Sequence, residues 1–252
     1  MDNKYILDLL QKVQDGDLTP DGAFESLKTL PYEDMDYVKI DKHRKIRSGK
    51  AEVIFCIGKT DAQVAGIFSK MSVDNDLIIG TKASPLQYEA TVKQLPDVVY
   101  HEAARLLIYH NPKAEPIEQT GNVAVVTAGT ADISIAEEAA VTLELYGNKV
   151  DRIFDVGVAG IHRLLAHVDR LRAASCIIVM AGMEGALASV VGGLVDRPVL
   201  AVPTSIGYGV SQGGYAALIS MLSSCALGVS VFNIDNGFGA AYTADMINHP
   251  RD

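Results

Sequence analysis

The sequence contains no tryptophan, and aromatic residues make up 6% of its 252 residues. Its three cysteines, Cys56, Cys176 and Cys225, lie far apart, and no two of them form a Cys-x-x-Cys pair. This spacing argues against a disulfide framework and against a structural zinc site. Isolated thiols are typical of reducing compartments, and the charged, amphipathic amino-terminal residues do not resemble a signal peptide. We therefore expect a cytoplasmic protein.

Positive charge is also scarce, because 22 lysines and arginines face 31 acidic residues and the net charge is -9. Nucleic acids and anionic membranes are therefore not expected as partners. An apolar stretch from residue 173 to 195 is interrupted by Glu184 and by four glycines, so it does not have the pattern of a membrane-spanning helix. An anionic small molecule would need local cations. One candidate is the segment 41–52, in which Arg44 and Arg47 belong to a basic cluster, followed by Lys59.

What is present is a regular alternation of apolar strand patterns with helical patterns. Two amphipathic helices are predicted to open the chain. Residues 111–116 hold two prolines and predict a linker between a domain at 1–115 and a domain at 121–252. The first is predicted to be a smaller α/β domain. Its predicted strands are 53–57, 77–79 and 98–100, and its predicted helices are 60–71 and 85–95.

The second half shows the stronger alternation. Its strands are predicted at 122–126, 150–156, 175–180, 199–202 and 229–234, and its helices at 133–145, 161–171, 184–191 and 214–225. Continuous apolar strands joined by helices predict an α/β fold with a doubly wound parallel sheet, arranged in three layers as in flavodoxin. Ligands of such sheets bind at the carboxyl ends of the strands. Those loops are therefore where we look for a site.

Small and hydroxyl-bearing residues fill the predicted loops. Residues 127–132 (TAGTAD) precede a helix and could cradle a phosphate; Asp132 could cap that helix, bind a ribose hydroxyl or bind magnesium. His162 and Arg163 follow two glycines, where they could contact a phosphate or transfer a proton. Glu184 is the one charge in an apolar stretch, and a buried carboxylate is costly unless it is paired or used.

Two further loops, 203–214 and 235–239, are rich in glycine and polar residues. Cys225 comes at the end of an apolar helical pattern, and a lone cysteine there is more often core than nucleophile. The residues that the sequence proposes as substrate ligands are Thr127, Gly129, Thr130, Asp132, Gly157, Gly160, Arg163, Gly182, Met183, Ser205, Gly207, Tyr208, Gly209, Arg44, Arg47, Lys59 and Asn236.

Longer motifs carry a family resemblance. Residues 127–132, 158–163 (VAGIHR) and 181–203 resemble the aminoimidazole ribonucleotide carboxylase/mutase family. Residues 155–165 (DVGVAGIHRLL), 183–193 (MEGALASVVGG) and 233–239 (NIDNGFG), with motifs in the first half, are similar to the LarB family over nearly the whole chain. LarB enzymes are the carboxylase/hydrolases that begin the synthesis of the nickel-pincer nucleotide cofactor.

The LarB resemblance implies nicotinic acid adenine dinucleotide as substrate, CO2 or bicarbonate as co-substrate, magnesium as cofactor and AMP as a product. It implies that Cys225 is the nucleophile, and it leaves open whether His162 or Glu184 takes the proton from C5 of the ring. No nickel site is expected in this protein, whereas a homo-oligomer is. The alternatives are a purine-pathway carboxylase or mutase, which needs no thiol, and a non-enzymatic nucleotide-binding module.

Overall fold

The structure is a computed structural model that describes residues 3–28, 33–34, 37–41, 44 and 48–250. The chain divides into two compact units, Met1–Ala114 and Glu115–Asp252. Among the predicted substrate ligands, Arg47 lies outside the described residues.

The first unit contains four helices and six strands within the described residues. The helices are α1 (Asn3–Gln14), α2 (Pro20–Lys28), α3 (Asp61–Met71) and α4 (Pro85–Gln94). The strands are β1 (Glu33–Asp34), β2 (Lys39–Ile40), β3 (Ile54–Phe55), β4 (Leu77–Thr81), β5 (Val98–His101) and β6 (Leu106–His110). Capping boxes at Thr60 and Ser84 start α3 and α4.

The main sheet of the first unit is mixed, with the order β3-β4-β6-β5. Strands β3 and β4 are parallel, whereas β6 pairs antiparallel with both β4 and β5. The sequence analysis missed β6. The turn before β6 includes Arg105 at φ +52°, a left-handed conformation for which glycine or asparagine is the usual sequence signal.

The second unit contains the predicted alternation. Its strands are β7 (Thr120–Thr127), β8 (Asn148–Ile153), β9 (Cys176–Ala181), β10 (Val199–Pro203) and β11 (Val229–Val231). Its helices are α5 (Ile133–Leu145), α6 (Ile161–Leu165), α7 (Val168–Arg172), α8 (Ala186–Leu194), α9 (Tyr215–Leu222) and α10 (Gly237–Asn248).

These strands form one sheet with the order β11-β10-β9-β7-β8, and every pairing is parallel. Successive residues of β7 point to opposite faces: Ala124 and Val126 pack with α6 to α9, whereas Val123 and Val125 pack with α5 and α10. Helices therefore cover both faces of the sheet. The predicted doubly wound, three-layer α/β fold is confirmed.

Three helix boundaries differ from the sequence prediction. The single helix expected at 161–171 is divided into α6 and α7, because His167 has non-helical backbone angles. Helix α8 starts at Ala186 because Gly185, at φ +65°, precedes it in a left-handed conformation. Helix α9 ends at Leu222, before a Ser-Ser pair in which the Ser224 Oγ accepts a hydrogen bond from the Ala226 N–H.

Helix α10 was not predicted, since its first residues are rich in glycine. It is held by packing of Ala240, Ala241 and Ala244 against the sheet. Among the described residues, none of the helices is long and apolar enough to span a membrane.

Candidate active site

The carboxyl ends of the parallel strands in the second unit enclose a cavity of about 300 Å³. Three loops line it, after β7, β8 and β9, and Ile206 adds a contact from the loop after β10. Its lining residues are Ala128, Gly129, Ala131, Asp132, Gly157, Val158, Ala159, Arg163, Ala181, Gly182, Met183, Glu184, Ala186, Leu187 and Ile206. The site is where a parallel sheet places its ligands.

Two glycines allow these loops to touch one another through their backbones. A Cβ on Gly157 would lie 2.6 Å from the Ala128 carbonyl oxygen, and a Cβ on Gly182 would overlap the Ile206 carbonyl oxygen. Any larger residue would push the loops apart. The glycines predicted as ligands at these positions therefore also have a packing role.

Three loops contain a non-glycine residue in the left-handed region: Asp155 at φ +59°, Met183 at φ +50° and Asp235 at φ +58°. Such residues are strained and are concentrated at functional sites. Hydrogen bonds hold two of them in place. The Asp155 N–H donates to the Thr127 Oγ1 at 2.9 Å, and the Ser205 N–H donates to the Asp235 Oδ1 at 2.8 Å.

Asp132 is the most buried charged residue of the cavity, with 4% of its surface exposed. Its Oδ1 accepts a hydrogen bond from the Thr204 hydroxyl at 2.6 Å, and its Oδ2 accepts one from the Gly129 N–H at 2.9 Å. Burial raises the pKa of this carboxyl, and the charge of Asp235 adds to the rise, while the two hydrogen bonds lower it. The sequence analysis missed Thr204.

The predicted pair His162 and Arg163 is separated by the fold. Arg163 lines the cavity, and its Nη1 lies 2.8 Å from the Asp155 Oδ2 in an ion pair that is partly exposed. His162 is exposed and is not a lining residue. Asp155 was not among the predicted ligands, although its position after a strand was a usable signal.

Glu184 lines the cavity but is exposed to solvent. The expectation of a costly buried carboxylate was therefore wrong. The apolar residues on either side of Glu184 belong to β9 and α8, whereas Glu184 itself lies in the turn between them. Its position at the cavity, and not its burial, is what makes it a candidate for proton transfer.

The other predicted ligands of this unit have more varied surroundings. Thr130, Ser205, Tyr208 and Gly209 are exposed. The Asn236 Oδ1 accepts a hydrogen bond from the Gly239 N–H at 2.8 Å and so caps α10. Two more of the predicted glycines lie in close contacts: a Cβ on Gly160 would approach the Arg163 guanidinium, and one on Gly207 would approach the Ser211 carbonyl.

Two predicted cationic ligands belong to the first unit. The Lys59 Nζ donates to the Phe55 carbonyl at 2.8 Å, and the Arg44 N–H donates to the Asp41 carbonyl at 3.4 Å. Lys59 also lines a smaller cavity of about 190 Å³ beside β3. Their role as substrate ligands stays a prediction.

Cys225 lies in the segment between α9 and β11, and its side chain is exposed. This segment runs to the amino end of the sheet, where the Val199 N–H at the start of β10 donates to the Gly228 carbonyl. Its neighbour Ser224 contacts Ser189, in the first turn of α8, with 2.8 Å between the hydroxyl oxygens. Cys225 is not among the residues that line the strand-end cavity of its own chain.

The described residues do not form a resident metal site. Within residues 3–28, 33–34, 37–41, 44 and 48–250, no group of three His, Cys, Asp or Glu side chains could hold a metal ion. Both carboxylate oxygens of Asp132 already accept hydrogen bonds. Asp132 therefore does not fit a preformed magnesium site, and we assign no reaction step to a metal.

Comparison with known proteins adds to this geometry. Residues 32–112 match the LarB/PurE-like N-terminal domain, and residues 122–251 match the AIR carboxylase family. An uncharacterized protein of Methanocaldococcus jannaschii is 38% identical over 97% of this chain and 97% of its own length. The N5-carboxyaminoimidazole ribonucleotide mutase of the same organism is 30% identical over 48% of this chain and 75% of its own length.

Among solved structures, Treponema denticola PurE aligns with 51% of this chain and 77% of its own, at 19% identity and a TM-score of 0.40. A single-residue variant of PurE2 from the same organism aligns with 48% and 76%, at 21% identity and a TM-score of 0.40. The family matches together cover both units of the chain. The chain therefore belongs to the LarB family, whose LarB/PurE-like N-terminal domain precedes an AIR carboxylase domain, and it is an enzyme of the carboxylase/mutase type.

Proposed function

We propose that this protein carboxylates C5 of the pyridinium ring of nicotinic acid adenine dinucleotide and then hydrolyses the phosphoanhydride, releasing AMP. The other product is pyridinium-3,5-biscarboxylic acid mononucleotide, a precursor of the nickel-pincer nucleotide cofactor. The observation that carries the proposal is a solvent-exposed thiol, Cys225, in a chain that joins a LarB-type domain to an AIR carboxylase domain.

The chemistry explains why a thiol is needed. The pyridinium ring is electron-poor, so its C5 cannot attack CO2. Addition of the Cys225 thiolate at C4 forms a neutral dihydropyridine, whose nitrogen lone pair makes C5 nucleophilic. After C5 bonds to CO2, loss of the C5 proton and expulsion of the thiolate restore the aromatic pyridinium. A thiolate both adds and leaves readily, whereas an alkoxide is a poor leaving group.

The other two cysteines are unsuited to this role. Cys56 and Cys176 are fully buried, and burial raises the pKa of each thiol to about 12. A thiol with such a pKa is protonated at neutral pH and is a poor nucleophile. Cys225 is therefore the candidate that the chain offers.

Glu184 is the better candidate for removing the C5 proton. It lines the cavity, whereas His162 does not. A general base must come within hydrogen-bond reach of the proton that it takes. We assign to Arg163, which also lines the cavity, the role of balancing the negative charge that develops as the phosphoanhydride is cleaved.

One observation favours a second candidate, a purine-pathway carboxylase or mutase. The cavity is complete without a thiol, and the second unit is 30% identical to a N5-carboxyaminoimidazole ribonucleotide mutase. That reaction needs no cysteine nucleophile.

Incubation with nicotinic acid adenine dinucleotide and 13C-bicarbonate, followed by mass spectrometry, tests the proposal. We expect AMP and a mononucleotide that carries the label in a second ring carboxylate. Unchanged dinucleotide, together with carboxylation or carboxylate migration on aminoimidazole ribonucleotide, would favour the purine-pathway candidate instead. The same incubations with and without EDTA test whether magnesium takes part.

A further inference from the structure

One surface of the second unit is both apolar and exposed. Helix α9 presents Tyr215, Ile219 and Leu222 to solvent, and these positions, four and three residues apart, form one stripe of the helix. Tyr208, Val210 and Leu227 extend the stripe at its two ends. We call these six side chains the α9 surface. Val210 and Leu227 are 96% and 92% exposed, which is unusual for branched aliphatic residues.

The α9 surface lies within a long stretch that has no ionisable acid or base. From residue 198 to residue 234 the chain has no Asp, Glu, Lys, Arg or His, although 21% of the whole sequence is charged. Exposed side chains in such a stretch would normally be polar. Depletion of charge combined with exposed tyrosine and aliphatic residues is the composition of the core of an interface.

Its size also exceeds that of an ordinary surface patch. The six side chains expose on the order of 800 Å² together, compared with a few hundred Å² for typical patches of monomers. About 800 Å² from each partner is the size of a stable protein–protein interface. Membranes with anionic headgroups are a poor fit, because such surfaces bind through basic residues and this stretch has none.

A second copy of the chain is the occupant that fits best. Two copies with a net charge of -9 repel one another except where both surfaces are neutral. A two-fold interface pairs the same patch with itself, so an uncharged patch meets an uncharged patch. We infer that two copies of this chain pack through their α9 surfaces.

Such pairing would also complete the active site, an extension that rests on the proposed function. Cys225 does not line the strand-end cavity of its own chain, whereas bond formation needs reacting atoms about 3–3.5 Å apart. The Tyr208 end of the α9 surface follows Ile206, which lines the cavity, and the Leu227 end adjoins Cys225. An antiparallel two-fold pairing places the partner subunit's Cys225 beside the Tyr208 end, and so beside this chain's cavity.

The pairing is tested without any assay of activity. The double substitution Ile219→Glu and Leu222→Glu should lower the molar mass in light scattering, whereas Met246→Glu, an exposed apolar residue on α10, should not. An unchanged mass of a folded double variant would overturn the inference. Should that variant fail to fold, a photo-crosslinker attached to Cys225 of the wild type gives the answer.

For that measurement, 14N- and 15N-labelled chains are dissociated and reassembled together. We expect mixed-isotope crosslinks from Cys225 to peptides of residues 128–132, 154–163 or 204–211. Crosslinks confined to chains of one isotope, or captured on another protein, would overturn the pairing.

Sharing of the site is tested with two inactive variants, Cys225→Ala and Glu184→Gln. Reassembly of their mixture should restore about a quarter of wild-type activity, since about half of the pairs are mixed and each mixed pair has one intact site. If the wild type is active and the mixture is not, sharing between copies is wrong although the proposed function stands. If the wild type is inactive on the dinucleotide, the proposed function fails, while the mass and the crosslinks still decide the pairing.

Discussion

The strand-end cavity and the segment around Cys225 differ in almost every property, although both belong to the second unit. Glycines shape the cavity, and Asp132, Arg163 and Glu184 give it charge. The Cys225 segment has no ionisable acid or base and exposes apolar side chains. The contrast separates two tasks, holding a charged nucleotide and supplying a nucleophile. A fold can solve each in a different place, and association of copies can then bring the two places together.

Removal of the thiol should have the largest effect on this pair of regions. We expect Cys225→Ala to lower carboxylation at least about 10³-fold, as losses of nucleophiles do in other covalent mechanisms. Binding of the dinucleotide, measured by calorimetry, should change little, because the cavity does not include Cys225. Cys225→Ser should be equally inactive, since an alkoxide leaves poorly.

The matched control for Cys225 is a buried cysteine of the same unit. Cys176→Ala removes a thiol that burial holds at a pKa of about 12, so carboxylation per folded enzyme should persist. Equal losses in the variants at positions 176 and 225 would contradict a covalent role for Cys225 alone. Iodoacetamide should modify one thiol for each folded chain, identified by peptide mass spectrometry as Cys225.

The proton-transfer step provides the second prediction. We expect Glu184→Gln to lower the turnover number about 10²-fold or more, the range for loss of a general base. His162→Gln should leave it within about threefold, because His162 does not line the cavity. Measurement of turnover against pH for both variants separates the roles, and a larger loss at His162 would reverse the assignment.

Much of the fold was predictable because the parallel sheet is buried on both faces. Strands such as β9, in which all six residues are buried, produce continuous apolar runs that the sequence displays directly. Elements that depend on tertiary packing were harder to predict. Helix α10 begins with Gly-Phe-Gly and is held by its alanine contacts, and β6 follows a turn that has no glycine.

The candidate site was predictable in its location and less so in its details. The rule that ligands bind at strand ends identified Asp132, Arg163, Gly182 and Glu184, and all four line the cavity. Thr204 could not be recognised as the partner of Asp132, because 72 residues separate them and their contact depends on the order of the strands. The position of Cys225 also depends on the point where α9 ends, which periodicity alone did not fix.

The third prediction concerns the close contacts that shape the cavity. A Cβ on Gly182 would overlap the Ile206 carbonyl, so we expect Gly182→Ala to lower the free energy of unfolding by about 1–3 kcal/mol. Gly193→Ala in α8 is the matched control, because a Cβ there meets no atom within 4 Å. That change should stabilise the helix by about 0.5–1 kcal/mol. Urea denaturation measures both, and equal effects would show that the loop contact does not constrain residue 182.

The smallest effect should be a pH dependence of stability due to Asp132. Burial raises the folded-state pKa of its carboxyl above the ordinary value of 3.8, so the folded protein holds this proton more tightly than the unfolded chain does. Its contribution to the free energy of unfolding is therefore fully present below pH 3.8 and declines as the pH rises through the folded-state pKa. Asp132→Asn resembles the protonated acid, because its amide can donate to the Thr204 hydroxyl while its oxygen accepts from the Gly129 N–H. The variant should thus gain stability relative to the wild type as the pH rises above 3.8, in urea denaturation at several pH values, with Asp151→Asn on β8 as the control. A difference between variant and wild type that does not change with pH would contradict the raised pKa.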